Sequence, residues 1–491
     1  MTEFKKSTPK KKKSTNKNKG YTGKNEAIIN ADKKKQRTPG RNYQGAVRPK
    51  KDMSKAKDEI VEEKISIQKP SKPQNQGGKS NQYDKKSDNK FAAPASRRIE
   101  LTEEQKAEIK KNACPHAKKC GGCQLQNMSY EQQLSYKQAI CIRNLKRFGK
   151  VEEIVGMDDP THYRNKVQAA FGTTRRGQII SGVYQASSHR IVSVDSCMIE
   201  DKIADEIIVH IRHMIKAFKL TVYNEDTGKG FLRHVLVKRG FKTDEVMVVL
   251  VTSTAIFTGK NNFIKELVRK FPMIKTIVQN INEDQTSMVL GRKEFALYGD
   301  GYIQDELCNL NFRISPKSFY QINPVQTEKL YKKAMEFAKL TGRETVLDAY
   351  CGIGTIGLIA STRAKNVIGV EINDDAVLDA IYNAKLNQRN NIWFYCADAG
   401  EFMVELAEQK QAVDVVFMDP PRSGSDTNFL SSVVKLSPKR VVYISCDVST
   451  QARDLAYLVK HGYKVDRIAP FDMFSYTSHV ECVILMSKIE K

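Results

Sequence analysis

Strand-like and helix-like segments alternate through the last third of the chain, and this alternation constrains the fold more than any other feature. Short apolar runs such as TVLDAY, NVIGVEI, VDVVFMD and RVVYISC are separated by segments with helical spacing. Alternation of this kind predicts a parallel sheet covered by helices on both faces. The last two runs, YKVDRIAPFDMF and HVECVILMSK, have no helix between them, so we expect an antiparallel hairpin at the end of the sheet.

A glycine-rich loop follows the first of these strands. In LDAYCGIGTIG, Gly352, Gly354 and Gly357 form a G-x-G-x-x-G pattern, and Glu371 ends the next strand. Glycines let the backbone approach a ligand and the acid accepts from ribose hydroxyls, so the pattern alone also fits an NAD(P)-dependent oxidoreductase. Asp348, which suits an amine-bearing ligand, and the later FMDPPRSG motif favour S-adenosylmethionine instead.

A cysteine and a carboxylate near the end of the chain are candidates for covalent chemistry. Methylating carbon 5 of a pyrimidine is difficult because that carbon is a poor nucleophile. A thiolate that adds to carbon 6 makes carbon 5 enolate-like, and a base must then remove the carbon-5 proton. Cys446 follows the strand after Asp419, and Glu481 begins the last strand. These positions fall at the sheet edge where α/β proteins bind ligands.

Five motifs occur in a fixed order: SPKSFYQINP, LDAYCGIGTIG, MDPPRSG, YISCDVSTQARDL and HVE. Together they resemble the RNA uracil-C5 methyltransferases, a bacterial family that includes the iron–sulfur-containing 23S rRNA enzymes. The resemblance covers about residues 110–490. It implies a Rossmann-like class I methyltransferase domain that transfers a methyl group from S-adenosylmethionine to C5 of uridine in 23S rRNA. A tRNA substrate is the alternative, and a non-catalytic RNA-binding factor is the alternative of another class.

The resemblance also implies roles for individual residues. Cys446 is the nucleophile and Glu481 is the base, while Asn323 is expected near the cofactor. The residues implied to bind S-adenosylmethionine or to order the site are Gln321, Tyr350, Glu371 and Asp419. The chain departs from its relatives at Asp447-Val448, where they commonly have Asn-Pro, and an added carboxylate there is expected to raise the pKa of the thiol.

Three cysteines lie close together well before the sheet region, in CPHAKKCGGCQLQ. The spacing Cys114-x5-Cys120-x2-Cys123 is typical of thiolate ligands for zinc or for a [4Fe–4S] cluster, and spacing alone does not choose between them. Cys141 is near in sequence but lies in a helical run among apolar residues. The resemblance selects Cys197 as the fourth ligand and an iron–sulfur cluster as the group, with zinc as the alternative.

Composition divides the chain into three regions. Residues 1–98 hold 28 basic and 10 acidic residues and few large apolar ones, which predicts a disordered lysine-rich tail for a polyanion such as RNA. Residues 99–314 favour an α+β central domain that binds RNA and carries the cysteine cluster. Residues 315–491 are the predicted methyltransferase domain. The overall expectation is an α/β protein.

Basic loops in the central region suit contacts with RNA phosphates, notably around Arg164, Asn165 and Lys166. Tyr163 or Phe171 is expected to stack on a base.

We find no apolar run of about 18 residues and no apolar segment after the basic N-terminus, so neither a membrane span nor a secretory signal is predicted. The expectation is a cytoplasmic protein that binds RNA and has no membrane or obligate protein partner.

Overall fold

A computed structural model describes residues 102–111, 113–185 and 188–490 of the 491-residue chain. The predicted tail, residues 1–98, lies outside the described residues. The described part contains eleven helices and sixteen strands, arranged in two seven-stranded sheets and one separate hairpin. None of its helices is long and apolar enough to cross a membrane.

Three helices precede the first sheet. They are α1 (Glu103–Lys111), α2 (Ala117–Cys120) and α3 (Tyr130–Leu145). Ser129 begins α3 with a capping box, because its side chain accepts from the N–H of Gln132 and the Gln132 side chain accepts in return. Cys141 and Leu145 on α3 are fully buried in the apolar core beneath the second sheet. The N-terminal helices are therefore tied to the C-terminal half of the protein.

The first sheet has the strand order β3-β2-β1-β4-β5-β6-β7, and only β5 and β6 are parallel. Its strands are β1 (Lys166–Thr173), β2 (Ile179–Tyr184), β3 (Ile191–Ser193), β4 (Leu232–Arg239), β5 (Val246–Thr252), β6 (Ile274–Ile281) and β7 (Lys293–Tyr298). Two helices, α4 (Lys202–Ala217) and α5 (Lys260–Lys270), cover one face. These elements match the mixed α and β pattern predicted for the central region.

A short hairpin covers part of the other face of this sheet. It consists of β8 (Ile303–Leu307) and β9 (Leu310–Ile314). Its apolar side chains share a core with inward-facing residues of β4, β5 and β6 and with the first helices of the second sheet. The strands β1, β2 and β3 lie beyond this shared core and leave an open area of sheet.

The second sheet has the order β12-β11-β10-β13-β14-β16-β15. Its strands are β10 (Thr345–Ala349), β11 (Asn366–Glu371), β12 (Ile392–Cys396), β13 (Val415–Met418), β14 (Arg440–Ser445), β15 (Tyr463–Phe471) and β16 (Glu481–Lys488). The helices are α6 (Pro324–Ala338), α7 (Thr355–Ser361), α8 (Asp374–Leu386), α9 (Ala399–Glu408), α10 (Thr427–Leu436) and α11 (Val448–Lys460). They bury both faces of the sheet, in two separate apolar cores.

The five strands from β10 to β14 are parallel, and β16 and β15 complete the sheet as an antiparallel pair. Both the doubly covered parallel sheet and the terminal hairpin were predicted from the sequence, and both are confirmed. The hairpin inserts β16 beside β14, so the start of β16 lies at the carboxyl edge of the parallel strands. Glu481, the first residue of β16, is therefore placed at this edge. The proposed boundary at residues 314 and 315 stays a prediction.

Candidate active site

The carboxyl ends of the parallel strands bring the predicted catalytic residues together. Glu371 ends β11, while Asp419 and Cys446 directly follow β13 and β14. Because β16 runs in the opposite direction, its first residue, Glu481, lies at the same edge, and its register with β14 places it beside Cys446. Four separate strands thus contribute one acid or thiol each to a single cleft.

The loop after β10 is shaped by its glycines. Gly352 and Gly354 have φ angles of 54° and 84°, and a Cβ atom on Gly354 would lie 2.8 Å from the ring of Phe394. The N–H of Gly352 donates to Oε2 of Glu371 at 3.0 Å, and the N–H of Asn373 donates to Oε1 at 2.9 Å. The loop and the acid are held together, and each carboxylate oxygen retains a lone pair for a ligand hydroxyl.

Asp348 is a fully buried carboxyl under the same loop. Its Oδ2 accepts from the N–H of Gly357 at 2.7 Å, whereas Oδ1 has no hydrogen-bond partner among the described residues. Burial raises the pKa of Asp348 to about 8, and the negative charges of Asp419 and Glu371 act in the same direction. An unpartnered buried acceptor next to a glycine loop suits a cationic donor such as an ammonium group.

Cys446, Glu481, Asp419 and Arg422 form one electrostatic cluster. Burial, together with the nearby charges of Glu481 and Asp419, raises the pKa of the Cys446 thiol to about 11, whereas Arg422 opposes the shift. Glu481 is buried, its Oε2 has no partner among the described residues, and burial raises its pKa well above the usual range. A carboxylate with a raised pKa is a stronger base, so the cluster pairs a nucleophile with a proton acceptor.

Gln321 reaches this cleft from the segment before α6. Its side chain hydrogen-bonds the hydroxyl of Tyr331, which burial and the charges of Asp419 and Asp348 give a raised pKa. Its main-chain oxygen accepts from Nδ2 of Asn165 at 3.1 Å, just before β1. Gln321 therefore links the first sheet to the acids of the cleft.

Tyr350 directly follows β10 in the left-handed region, with φ of 65°. Its ring packs against Phe429 of α10 with centroids 4.8 Å apart, and its hydroxyl lies near the side chain of Ser425. Burial raises the pKa of this hydroxyl to about 12. Tyr350 is thus one wall of the cleft on the α10 side, across the loop from Asp348.

A comparison with known families assigns this geometry. The model of the family described as tRNA (Uracil-5-)-methyltransferase matches residues 129–489, which includes all of the candidate catalytic residues. The chain belongs to the RNA (uracil-5-)-methyltransferases. A dinucleotide-dependent oxidoreductase and a non-catalytic binding factor, the alternatives from sequence, are set aside by this membership.

Curated relatives and a solved structure agree with the family match. The chain is 45% identical over 385 residues to an uncharacterized RNA methyltransferase of Clostridium acetobutylicum, a match that spans 77% of this chain and 84% of the relative. It is 43% identical to another of Oceanobacillus iheyensis over 78% of this chain and 84% of that protein. The Pyrococcus abyssi tRNA (uracil-54, C5)-methyltransferase, solved with S-adenosyl-L-homocysteine, aligns with a TM-score of 0.63 and 29% identity, over 74% of this chain and 85% of that chain.

The cysteine segment of this methyltransferase approaches a ligand set without closing one. Among the residues that the structure describes, no group of three or more His, Cys, Asp or Glu side chains is arranged to hold a metal ion. Burial raises the pKa of Cys123, and the neighbouring Cys120 and Cys114 raise it further, so these three thiols are close. Cys197 packs against the same small apolar cluster as Cys123. Thiols are suitable ligands for zinc or an iron–sulfur cluster, but the four described here are not arranged around a common metal position.

Two residues at the methyltransferase site have roles that the sequence did not reveal. Arg422 stands in the sequence only as part of the MDPPRSG motif, yet its charge opposes the raised pKa of both Cys446 and Glu481. Asp447 was expected to raise the pKa of the thiol, which stays a prediction; its carboxylate also caps α11, accepting from the N–H groups of Ser449 and Thr450.

Two expectations for individual residues were wrong. Tyr163 and Phe171 cannot stack on a base as they stand, because only 4% and 1% of their surfaces are exposed. The Tyr163 hydroxyl donates to the main-chain oxygen of Ser475, and Phe171 faces the core beneath α4 and α5. The Asn323 side chain caps α6 and donates a 3.1 Å bond to the Met473 oxygen, and its expected position near the cofactor stays a prediction.

Proposed function

We propose that this enzyme methylates C5 of a uridine in 23S rRNA through a covalent bond between Sγ of Cys446 and C6 of the base. The observation that carries the proposal is the convergence of Cys446, Glu481, Asp419 and Arg422 at one sheet edge, beside the glycine loop. A thiol, a buried base and a cofactor-type loop in one cleft are what methylation of an unreactive carbon requires.

The chemistry uses the deprotonated forms of Cys446 and Glu481, and the raised pKa of each makes that form a stronger nucleophile or base. The Cys446 thiolate adds to C6, and C5 then takes the methyl group of S-adenosylmethionine, which leaves as S-adenosylhomocysteine. Glu481 removes the C5 proton, the C5–C6 double bond re-forms, and the thiolate departs. Arg422 favours the thiolate because its positive charge lies beside the sulfur. The target base must leave its stack to reach the thiol, which favours loops and single-stranded segments.

S-adenosylmethionine fits the groups around the glycine loop. The free lone pairs of Glu371 are placed for ribose hydroxyls, and the unpartnered Oδ1 of Asp348 is placed for the ammonium of the methionine end. Gln321 and Tyr350 flank this space, and Asp419 lies between it and Cys446. When bound, the cofactor supplies an electrophilic methyl group. We assign Gln321, Tyr350, Glu371 and Asp419 to its binding and to ordering of the site.

A [4Fe–4S] cluster held by the four cysteines is a further part of the proposal, with zinc as the alternative. It is supported by the proximity of Cys114, Cys120 and Cys123 and by the shared apolar cluster of Cys123 and Cys197. Anaerobic purification followed by visible absorption and iron and zinc analysis tests it. A colourless protein with stoichiometric zinc would replace iron–sulfur by zinc, and a metal-free active protein would exclude both.

Covalent catalysis is tested with substituted RNA and two variants. RNA containing 5-fluorouridine should form a denaturation-resistant complex with the wild-type enzyme, because fluorine at C5 cannot be removed as a proton. Glu481→Gln should accumulate the same complex on ordinary RNA, and Cys446→Ala should form none and should lose methyl transfer. Cys308→Ala, in the turn between β8 and β9, is the matched control and should behave as wild type. Full methyl transfer by Cys446→Ala would refute the covalent route.

A tRNA substrate is the second candidate, favoured by the name of the matching family and by the tRNA enzyme of Pyrococcus abyssi. Mapping 5-methyluridine in rRNA and tRNA from cells with and without the gene separates the two. Loss of a site in 23S rRNA is the expected result. Loss in tRNA alone would transfer the assignment to tRNA, and loss in neither pool would contradict activity on both.

A further inference from the structure

A cavity of ≈ 610 Å³ lies on the open area of the first sheet, away from the methyl-transfer cleft. Its floor is formed by strands β1, β2 and β4, where Ala170 pairs with Gly182 on one side and His234 on the other. Gln168 and Ala170 alternate along β1 with residues that face α4 and α5, so they lie on the uncovered face. Nothing in the methyl-transfer chemistry uses this cavity.

His234 is the most unusual group in the lining. It is 6% exposed, and its Nδ1 has no hydrogen-bond partner among the described residues. Burial lowers the pKa of His234 to about 4, so the ring is neutral at physiological pH. A buried polar atom without a partner is costly, and a ligand that hydrogen-bonds it would remove that cost.

Two further aromatic rings belong to the same lining as His234. The ring of Tyr184, which is half-buried, meets His234 edge-on with centroids 6.1 Å apart, and it lies 6.4 Å from the ring of His189. Gln168 adds an amide with both a donor and an acceptor. The cavity therefore offers flat apolar surface together with neutral hydrogen-bonding groups.

The charges of the lining argue against a phosphate as the occupant. The lining includes no lysine or arginine from the described residues, and it does include Glu225. That carboxylate is paired with the buried Arg233 at 3.0 Å, so the pair is internally neutral. An exposed cation, Arg190, follows His189 in the chain and is available to a backbone phosphate outside the cavity. A planar, uncharged group attached to an anionic backbone matches this pattern.

We propose that this cavity binds a base of the RNA substrate other than the target uracil, stacked on Tyr184 and hydrogen-bonded to His234. The inference rests on RNA being the substrate. Strand β1 connects the two sites. At its start, Asn165 donates a hydrogen bond to the main-chain oxygen of Gln321 in the methyl-transfer cleft. Farther along the strand, Gln168 and Ala170 line the cavity. At about 3.4 Å per residue they lie about 10 and 17 Å beyond Asn165. Nucleotides beyond the immediate neighbours of the target uridine can therefore reach the cavity.

Steady-state kinetics on two RNAs test the proposal. The variants are Tyr184→Ala, the ring-preserving Tyr184→Phe, and His234→Phe, which keeps a ring but removes the nitrogen. On a stem-loop substrate, Tyr184→Ala and His234→Phe should raise the KM for RNA about 10-fold, with unchanged kcat and unchanged KM for S-adenosylmethionine. Tyr184→Phe should match wild type. On a trinucleotide centred on the target, which cannot reach the cavity, all four proteins should be equal.

The control is Tyr298→Ala, an exposed tyrosine on the opposite edge strand of the same sheet. An unchanged KM for the stem-loop in both Tyr184→Ala and His234→Phe would overturn the base-binding site. Equal losses on the stem-loop and on the trinucleotide would assign the residues to folding, which also overturns it. Failure of the wild-type enzyme to methylate either RNA would refute the proposed function instead, so the two failures are distinguishable.

Discussion

Lys137 makes the buried ion pair that joins the N-terminal helices to the active site, and replacing it should destabilise the protein strongly. Its Nζ donates to Oδ1 of Asp472 at 2.5 Å and to the main-chain oxygen of Phe474 at 2.9 Å, and both side chains of the pair are 0% exposed. Burial lowers the pKa of Lys137 even though Asp472 opposes the shift. Asp472 is therefore the main group that favours the charged form of the ammonium.

Lys137→Met retains the aliphatic length but leaves Asp472 as an uncompensated buried charge. Removing one partner of a buried pair costs about 3–5 kcal/mol, and we expect that loss in the free energy of unfolding measured by urea titration. Lys329→Met is the control, since Lys329 pairs with Asp158 at 3.0 Å on the surface and should change stability by less than about 1 kcal/mol.

A double variant separates charge burial from packing. Asn at position 472 can still accept the 3.2 Å bond that the N–H of Phe474 now gives to Asp472. Lys137→Met with Asp472→Asn should therefore recover part of the stability lost by the single variant, because no charge remains buried. A loss below about 1 kcal/mol for Lys137→Met, or a double variant less stable than the single one, would refute this reasoning.

Two further predictions concern the cleft. Burial raises the pKa of Cys446 to about 11, so the reactive thiolate is scarce at neutral pH. Alkylation of Cys446 by iodoacetamide, measured by mass spectrometry, should therefore accelerate about tenfold per pH unit between pH 7 and 9. Arg422→Met should slow this alkylation at every pH, because Arg422 favours the thiolate. Burial raises the pKa of Asp348 to about 8 from its ordinary value near 4. Between these two pH values the folded state therefore keeps a proton on Asp348 that the unfolded state has already lost. The free energy of unfolding should fall across that interval; Asp348→Asn should flatten the slope and weaken S-adenosylmethionine binding at least about tenfold by calorimetry.

The order of strands and helices in the second sheet was predictable from sequence, because an apolar run of strand length indicates a strand buried on both faces. The same logic placed Cys446 and Glu481 together, since strand ends in a parallel sheet share an edge and a terminal hairpin returns to it. Contacts made by long side chains were not predictable in this way. Arg422 reaches the thiol from an exposed position, and Lys137 is one buried cation among 81 basic residues.

The sequence of the central region also did not show which face of its strand each side chain occupies. Tyr163 and Phe171 lie among basic residues, which suggested an RNA surface, but the alternation of β1 turns Phe171 towards the helices. The unusual group on the opposite face, His234, lies inside HVLVKRG, a run that indicates only a buried strand. Its missing hydrogen-bond partner is a property of the packed sheet and has no sequence signature.

The loop before Glu481 explains why a cysteine segment belongs in an enzyme that performs no redox step. The N–H of Leu125, two residues after Cys123, donates to the oxygen of Tyr476, and Oε1 of Gln124 accepts from the N–H of Ser478. These bonds, together with the Lys137 pair, fix the segment that ends at Glu481, the proposed base. A metal bound by the cysteines would stiffen the same contacts, so its effect on methyl transfer acts through the position of Glu481. Loss of the metal should therefore lower kcat while leaving S-adenosylmethionine binding intact, because the glycine loop lies on strands that the cysteine segment does not hold.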